Sequence, residues 1–351
     1  GAYNEKGSVP TRYGSEADLK YCVTALRKLG IRPIVDLVLN HNQNGQSGAD
    51  KFRFIYGNHN TFEKQDPGGA NEYNYFTDST NHAPFHYEYN NFGRDVNLEH
   101  PYQREGLKAW GDWVTAKVGY QGYRWDLAFN LDPWFISEFM NSGLKKDRFS
   151  VLEYWEKETE GTTEEMVTWL ALTDYRSAIF DMPLRDHLKD MCNLSGTAFN
   201  MSNLTQRGLV NYAPQWAVTF VESHDTIRPY DNKVSITKDK MMAYAFVLMS
   251  AGLPMIAHSD YFVGRNADES SPDDSVDDGW TGETLKAQID QLIGLRKAYA
   301  GGATSYLYAD SDLLVMKREG NGQKPGCILA LNDHDTTTKS ANVNTGWSEG
   351  V

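Results

Sequence analysis

Four apolar runs in this chain stop abruptly at charged or polar residues. They are Asp36-Leu37-Val38-Leu39-Asn40-His41, Gly122-Tyr123-Arg124-Trp125-Asp126, Val151-Leu152-Glu153-Tyr154-Trp155 and Phe220-Val221-Glu222-Ser223-His224-Asp225. A short continuous apolar run is consistent with a strand buried on both faces, as in a parallel sheet. Parallel strands need long crossovers, usually helices. The first run has one: Ser15-Glu16-Ala17-Asp18 reads as a capping box, Leu19, Cys22, Val23, Leu26 and Leu29 follow at helical spacing, and Gly30 suits a C-cap. The pattern is α/β, a (β/α) barrel whose strand ends carry polar side chains to one mouth, where such barrels do their chemistry.

The same alternation recurs further on. Helices are expected over Pro101 to Val118, Pro133 to Asn141, Lys238 to Ser250 and Glu283 to Tyr299. Strands are expected at Ser150 to Glu153, Ala178 to Phe180, Ala217 to Val221 and Met255 to His258. About six barrel-type strands are readable where closure needs eight. Between residues 42 and 93 the chain is rich in Asn, Gly, His and Tyr and loses periodicity, which marks an insertion at a strand's C-terminal end. After Gly301 short β-like runs, Leu313 to Lys317 and Cys327 to Leu331, mark a second, all-β module. The expected division is a barrel over 1–41 and 94–300, an inserted domain over 42–93, and the start of a C-terminal antiparallel β domain over 301–351.

Composition narrows the partners. The net charge of −13 disfavours nucleic acid and anionic membrane, and suits a neutral polysaccharide with a bound cation. No apolar stretch approaches a membrane span. The 9 Trp and 20 Tyr fit a packed core and would also make stacking platforms for sugar rings. Cys22, Cys192 and Cys327 show no metal-type spacing and read as small buried residues. The acidic stretch from Ala267 to Gly279 reads as a solvated loop.

Acids at successive strand ends suit cleavage of a glycosidic bond with retention. One carboxylate attacks the anomeric carbon, a second carboxyl gives its proton to the leaving oxygen, and the surroundings stabilise an oxocarbenium-like ring. Asp126 suits the nucleophile. Arg124 lies two residues before it on the same strand face and would keep it ionised and oriented. Glu153, flanked by Leu152, Tyr154 and Trp155, suits the acid/base, since an apolar setting raises a carboxyl pKa. Asp225 would be a third acid gripping sugar hydroxyls, with His41 and His224 as donors to the same sugar. Singly, each has a plainer reading as a helix cap, loop anchor or structural ion pair. Together, four strand ends must agree.

These segments resemble the four signature regions of the α-amylase family, glycoside hydrolase family 13, in the family's order. Gly1 to Gly14, Ala178-Ile-Phe-Asp181-Met-Pro183-Leu, Ala217 to Thr226 and Ala243-Tyr-Ala-Phe-Val-Leu248 are similar to stretches of its bacterial liquefying and maltooligosaccharide-forming branch. The resemblance implies a (β/α)8 TIM-type barrel, incomplete at its N-terminus, with an inserted domain B and the start of a C-terminal antiparallel β domain. It implies Asp126 as nucleophile, Glu153 as acid/base and Asp225 as transition-state stabiliser. His41, Arg124, His224, Phe129, Asn130, Tyr154 and Trp155 fall at or beside substrate positions. A Ca2+ ion is implied at Asn40, Asp95 and the carbonyl of Asn130. The substrate would be an α-glucan; the enzyme is expected to be a monomer outside the cell, with the cytoplasm as the alternative. Where much of the family carries Lys-His after the nucleophile, this chain has Phe129-Asn130, which opens the balance between hydrolysis and transfer.

The leading expectation is endo-hydrolysis of α-1,4-glucan through a covalent glycosyl-enzyme. The alternatives are a transglucosylase using the same acids, and a starch-binding relative without activity.

Overall fold

The computed structural model describes residues 11, 13–42, 94–96, 98–99, 101–155, 162–194, 198–227, 235–263, 284–334 and 336–348. The expected insertion, from residue 43 onward, and the acidic Ala267–Gly279 stretch lie outside the described residues. The chain divides into two compact units, Gly1–Glu156 with Thr168–Ala178, and Lys157–Val167 with Ile179–Val351.

In the first unit α1 (Glu16–Lys28) starts at the expected capping box. The Asp18 backbone N–H donates to Ser15 Oγ, and the Ser15 N–H donates to Asp18 Oδ2 at 2.8 Å. The Ser15 hydroxyl and N–H hold the Asp18 carboxyl below its usual range. Of the expected apolar stripe only Val23 is buried, whereas Leu19, Cys22 and Leu29 are exposed. Then follow β1 (Ile34–Leu37), β2 (His41–Asn42), β3 (Arg94–Asp95), α2 (Pro101–Trp113), β4 (Gly122–Trp125), α3 (Pro133–Met140) and β5 (Phe149–Leu152). β4 pairs in parallel with β1 on one side and β5 on the other, and the register sets Arg124 opposite Asp36 and Val151. Helices separate these strands in sequence, so the pairing is parallel as read.

The core of this unit is aromatic. Tyr123, Trp125, Phe135 and Phe139 are fully buried, and the Trp125 ring meets Phe135 and Phe139 edge-on. The Trp125 indole N–H donates to Ser150 Oγ at 2.8 Å, which removes the cost of burying it. Gly111 lets α2 close on this cluster, because a Cβ there would come within 2.4 Å of the Phe139 ring.

The second unit carries the same step. α4 (Thr163–Leu172) falls across the division and begins at a reciprocal pair of bonds between Thr162 and Glu165. It precedes β6 (Ala178–Phe180), α5 (Met182–Asn193), β7 (Ala217–Phe220), α6 (Lys240–Met249), β8 (Leu253–Met255) and α7 (Lys286–Ala298). β7 is buried along its whole length and pairs in parallel with β6 and β8. β8 starts two residues before the expected strand. Its register is fixed by Val218 opposite Leu253, and Ala257 and His258 have already left the ladder. Pro254 is tolerated because, among the described residues, β8 pairs with β7 alone. Six parallel strands are thus described, β1, β4 and β5 in the first unit, β7 and β8 in the second, and β6 divided after its first residue, Ala178.

The chain ends in β9 (Thr304–Ala309), β10 (Leu313–Arg318) and β11 (Cys327–Asn332), an antiparallel sheet with β10 central and fully buried. β9 was not expected, because none of its residues is buried and it shows no alternation. Arg318 donates from Nη1 to the carbonyls of Met249 and Ser250, and Arg296 to those of Leu248, Ser250 and Gly252. Two guanidinium groups therefore satisfy the C-terminal carbonyls of α6, where positive charge is favoured. Among the described residues no helix is long and apolar enough to cross a membrane.

Candidate active site

Each unit carries one cluster of the expected residues at its strand ends. In the first unit the centre is Arg124, the third residue of β4. Its Nη1 donates to Asp126 Oδ1 at 2.6 Å and to Asp36 Oδ1 at 2.7 Å, and its Nη2 lies 2.5 Å from Glu153 Oε1. The period-two placement of Arg124 and Asp126 is as read. The sharing is not: Arg124 serves three carboxylates on three neighbouring strand segments. Burial alone would lower the Arg124 pKa, but the attraction of Glu153, Asp36 and Asp126 outweighs it and the charge is held more firmly than usual.

The backbone around the acids is tied on both sides. The Asp126 N–H donates to the Leu37 carbonyl at 3.1 Å, and the Glu153 N–H to the Trp125 carbonyl at 2.9 Å. Directly after Asp126 the chain turns through Leu127 at φ 47°. That left-handed conformation costs a branched residue about 1–3 kcal/mol and persists where neighbouring bonds over-determine it. Here the Leu127 N–H donates to Glu153 Oε2 at 3.2 Å, and the Ala128 N–H to the Glu153 carbonyl at 3.0 Å. The strained turn thus binds the Glu153 carboxylate directly. Glu153 is 6 % exposed, so its contacts are made away from water.

Of the remaining expected residues in this unit, Phe129 and Asn130 lie in a 3-10 turn, Ala128–Asn130, with Asn130 buried. Phe129 packs edge-on to Tyr154, ring centres 6.4 Å apart, and Tyr154 packs on Trp169 at 5.0 Å. Trp155 is half-buried. Asn40 is buried, and its carbonyl accepts from the Val96 N–H at 2.9 Å. His41 pairs with Asp95 in the antiparallel β2–β3 ladder; the side chains of His41 and Asp95 lie outside the described residues. Among the described residues no group of three or more His, Cys, Asp or Glu side chains is placed to hold a metal ion.

In the second unit the turn after β7 carries His224 and Asp225. His224 Nε2 lies 3.2 Å from Asp225 Oδ2, with His224 exposed and Asp225 about one-third exposed. Beneath the turn Glu222 is 0 % exposed. Its carboxylate accepts from Arg185 Nη2 at 2.7 Å, from Thr226 Oγ1 at 2.6 Å and from the Ile236 N–H at 2.7 Å. Nothing local singles out Glu222, one more acid in an acid-rich motif; the signal against a solvent role is its place one residue after the fully buried β7 and the apolar Val221.

Asp181 was also missed as a structural acid. It caps α5 by accepting from the Leu184 N–H and takes the N–H groups of Leu209 and Val210 at 2.9 and 2.8 Å. Complete burial pushes its carboxyl up to about 6, against these three donors. A raised folded-state pKa means the native state keeps this proton after the unfolded chain has lost it. The contribution is therefore fully present below the unfolded value near 3.8 and is lost as pH rises through about 6. Wild type should lose about 2 kcal/mol of stability relative to Asp181→Asn between pH 4 and pH 6.5 in urea titrations. A difference constant with pH would remove Asp181 from this role.

No protein-family model matches the chain. Among curated proteins, glucan 1,4-alpha-maltohexaosidase of Bacillus sp. (strain 707) is 25 % identical over 381 residues, covering 94 % of this chain and 70 % of that one. The alpha-amylase of Geobacillus stearothermophilus is 28 % identical, covering 94 % of this chain and 66 % of its own length. This chain thus spans about two-thirds of these relatives. Among solved structures, an Anoxybacillus alpha-amylase superposes with a TM-score of 0.67 at 18 % identity, covering 92 % of this chain and 69 % of that one. The alpha-amylase of Geobacillus thermoleovorans, solved with acarbose, gives 0.64 at 18 % identity, over 92 % and 70 %. These neighbours are TIM-barrel proteins, and the parallel strands and separate antiparallel sheet fit a partial barrel with a C-terminal domain. In sequence the chain is thus similar to bacterial alpha-amylases and a maltohexaosidase, and in fold to solved alpha-amylases.

Proposed function

We propose that this chain carries the endo-hydrolytic machinery for α-1,4-glucosidic bonds, acting with retention. The observation that supports it most is the joining of Asp126 and Glu153 on the single guanidinium of Arg124. One guanidinium cannot hold two carboxylates far apart. Retaining enzymes need about 5–5.5 Å between them, inverting ones about 6.5–9.5 Å. In this reading Asp126 bonds to the anomeric carbon, Glu153 gives its proton to the leaving oxygen and then takes one from water, and Asp225 grips the sugar hydroxyls as the ring flattens. Arg124, His41 and His224 orient the reacting sugar. Tyr154 and Trp155 give it aromatic surface, and Phe129 and Asn130 face the leaving group.

The substrate is starch, glycogen or maltooligosaccharide, a neutral polymer that suits a chain of net charge −13. We place the enzyme outside the cell, where a polymer too large to import is met, and acting as a monomer. The barrel is assigned to 1–41 and 94–300, the inserted domain to 42–93 and the β domain to 301 onward. Digestion of maltoheptaose, followed by proton NMR of the first products, tests the reaction. Shorter α-anomers are expected. A β-anomer would overturn retention, and glucans longer than the substrate would make transfer the main reaction.

A Ca2+ ion belongs to the same reading. Asn40 and Asp95 would hold it, with the Asn130 carbonyl as a further donor; all are oxygen donors, as a hard cation requires. The β2–β3 ladder supports the fit, since Asn40 accepts from Val96 and His41 stands opposite Asp95, so the backbone at 40 and at 95 runs side by side. The ion would tie the insertion to the barrel. Chelation should lower the melting temperature, with about 2.7 kcal/mol lost if the ion was present at a hundred times its Kd. A melting curve indifferent to both EDTA and added calcium would count against this site.

A further inference from the structure

We propose that Glu222 and Thr226 form a positioning pair for Asp225; the proposal rests on the reading of Asp225 as an acid of the active site. A fully buried carboxylate is costly unless every lone pair is engaged. Glu222 is engaged throughout: Arg185 and Thr226 on Oε2, the Ile236 N–H on Oε1, and Lys240 Nζ 3.6 Å from Oε1. Arg185 also donates from Nε to the Val221 carbonyl, which fixes the backbone entering the turn.

Thr226 transmits this order to the turn. Its hydroxyl gives its one hydrogen to Glu222, so its lone pairs are left to accept, and it takes the Ser223 N–H at 2.8 Å. Ser223 Oγ in turn accepts the Asp225 N–H at 3.2 Å, and the Ser223 carbonyl accepts from Ile227 at 3.0 Å. Ser235 Oγ pins the Thr226 carbonyl at 2.8 Å. Asp225 is thus one bond from Ser223, which is one bond from Thr226, which is one bond from a buried, ion-paired carboxylate. Without Glu222 the Thr226 hydroxyl loses the acceptor that fixes its hydrogen, and the Ser223 carbonyl, 3.4 Å away, is a weaker one left to it. The exposed His224–Asp225 segment has its orientation set from below.

The test is Thr226→Val, which keeps shape and removes the hydroxyl, with Thr226→Ser as the variant that restores it. Asp225→Asn and the double variant Asp225→Asn with Thr226→Val complete the cycle. If the pair positions Asp225, Thr226→Val lowers kcat about 10- to 100-fold with KM within about threefold. Thr226→Ser then returns most of the rate, and Thr226→Val has no further effect once Asp225 is Asn. Should the Val variant not fold, Thr226→Ala is put through the same cycle. A wild-type kcat in Thr226→Val beside a crippled Asp225→Asn would overturn the positioning proposal alone. So would an equal loss in both backgrounds, which marks a merely structural role. Full turnover in Asp225→Asn would instead overturn the reading of Asp225 itself, independently of Thr226.

Discussion

Glu153→Gln should stop turnover of α-1,4-glucan while leaving glucan binding in place. The amide is nearly the same size as the carboxyl and keeps an oxygen for the Leu127 N–H, which bonds Oε2 at 3.2 Å in the native protein. It cannot give a proton to the leaving oxygen, nor take one from water in the second step. General acid–base catalysis contributes about 10²–10⁴-fold, and both half-reactions use it here, so a loss of at least about a thousandfold is expected. Substrates with an activated leaving group, such as a fluoride, need no acid in the first step. They should form the glycosyl-enzyme at a rate much closer to native and then stall. Mass spectrometry of the stalled protein would read the added glycosyl group on Asp126. Unchanged turnover of starch in Glu153→Gln would remove Glu153 from its role.

Arg124→Met should damage both stability and rate. The Arg124 side chain is 13 % exposed and touches those of Asp126, Glu153 and Asp36, whose side chains are 22 %, 7 % and 55 % exposed. Breaking a buried pair by removing one partner costs about 3–5 kcal/mol, because the other charge is stranded. Asp36 and Asp126 can rehydrate, so Glu153 dominates, and a loss of about 3 kcal/mol is expected in urea titration. The rate should fall by at least about a hundredfold, since Asp126 loses the group that orients it. Arg124→Lys separates the two effects. Its ammonium restores charge and part of the stability, but a point charge cannot serve three carboxylates in fixed directions, so little of the rate returns. Native turnover in Arg124→Met would sink the shared-guanidinium account.

Much of this was readable because it is local. The Ser15–Asp18 capping box, the apolar strands from Ile34, Gly122 and Ala217, and the period-two placement of Arg124 and Asp126 are set by neighbours within a few residues. The helix from Thr163 was missed although Thr162 and Glu165 are a capping box, because its residues are apolar on more than one side and give no clean stripe. The helix from Met182 was passed over although Asp181 caps it and Pro183 sits in its first turn, where a missing N–H does no harm. The strand at Leu253 was placed two residues late because its limits follow pairing with Val218, 35 residues earlier. The expected apolar setting of Glu153 omitted the cation, since Arg124 reaches it from another strand.

The sequence by itself determined which chemical groups stand at the strand ends and in what order, because a buried strand must be apolar until it reaches its mouth. Tertiary structure alone decided which of those groups share a proton, a charge or a hydrogen bond. Arg124 faces Asp36 because of a parallel register across 88 residues, and Glu222 turns inward because Arg185, 37 residues before it, is there to receive it. Side chains that alternate along a strand can be counted, but the partner across the ladder is chosen by the packing of the whole sheet.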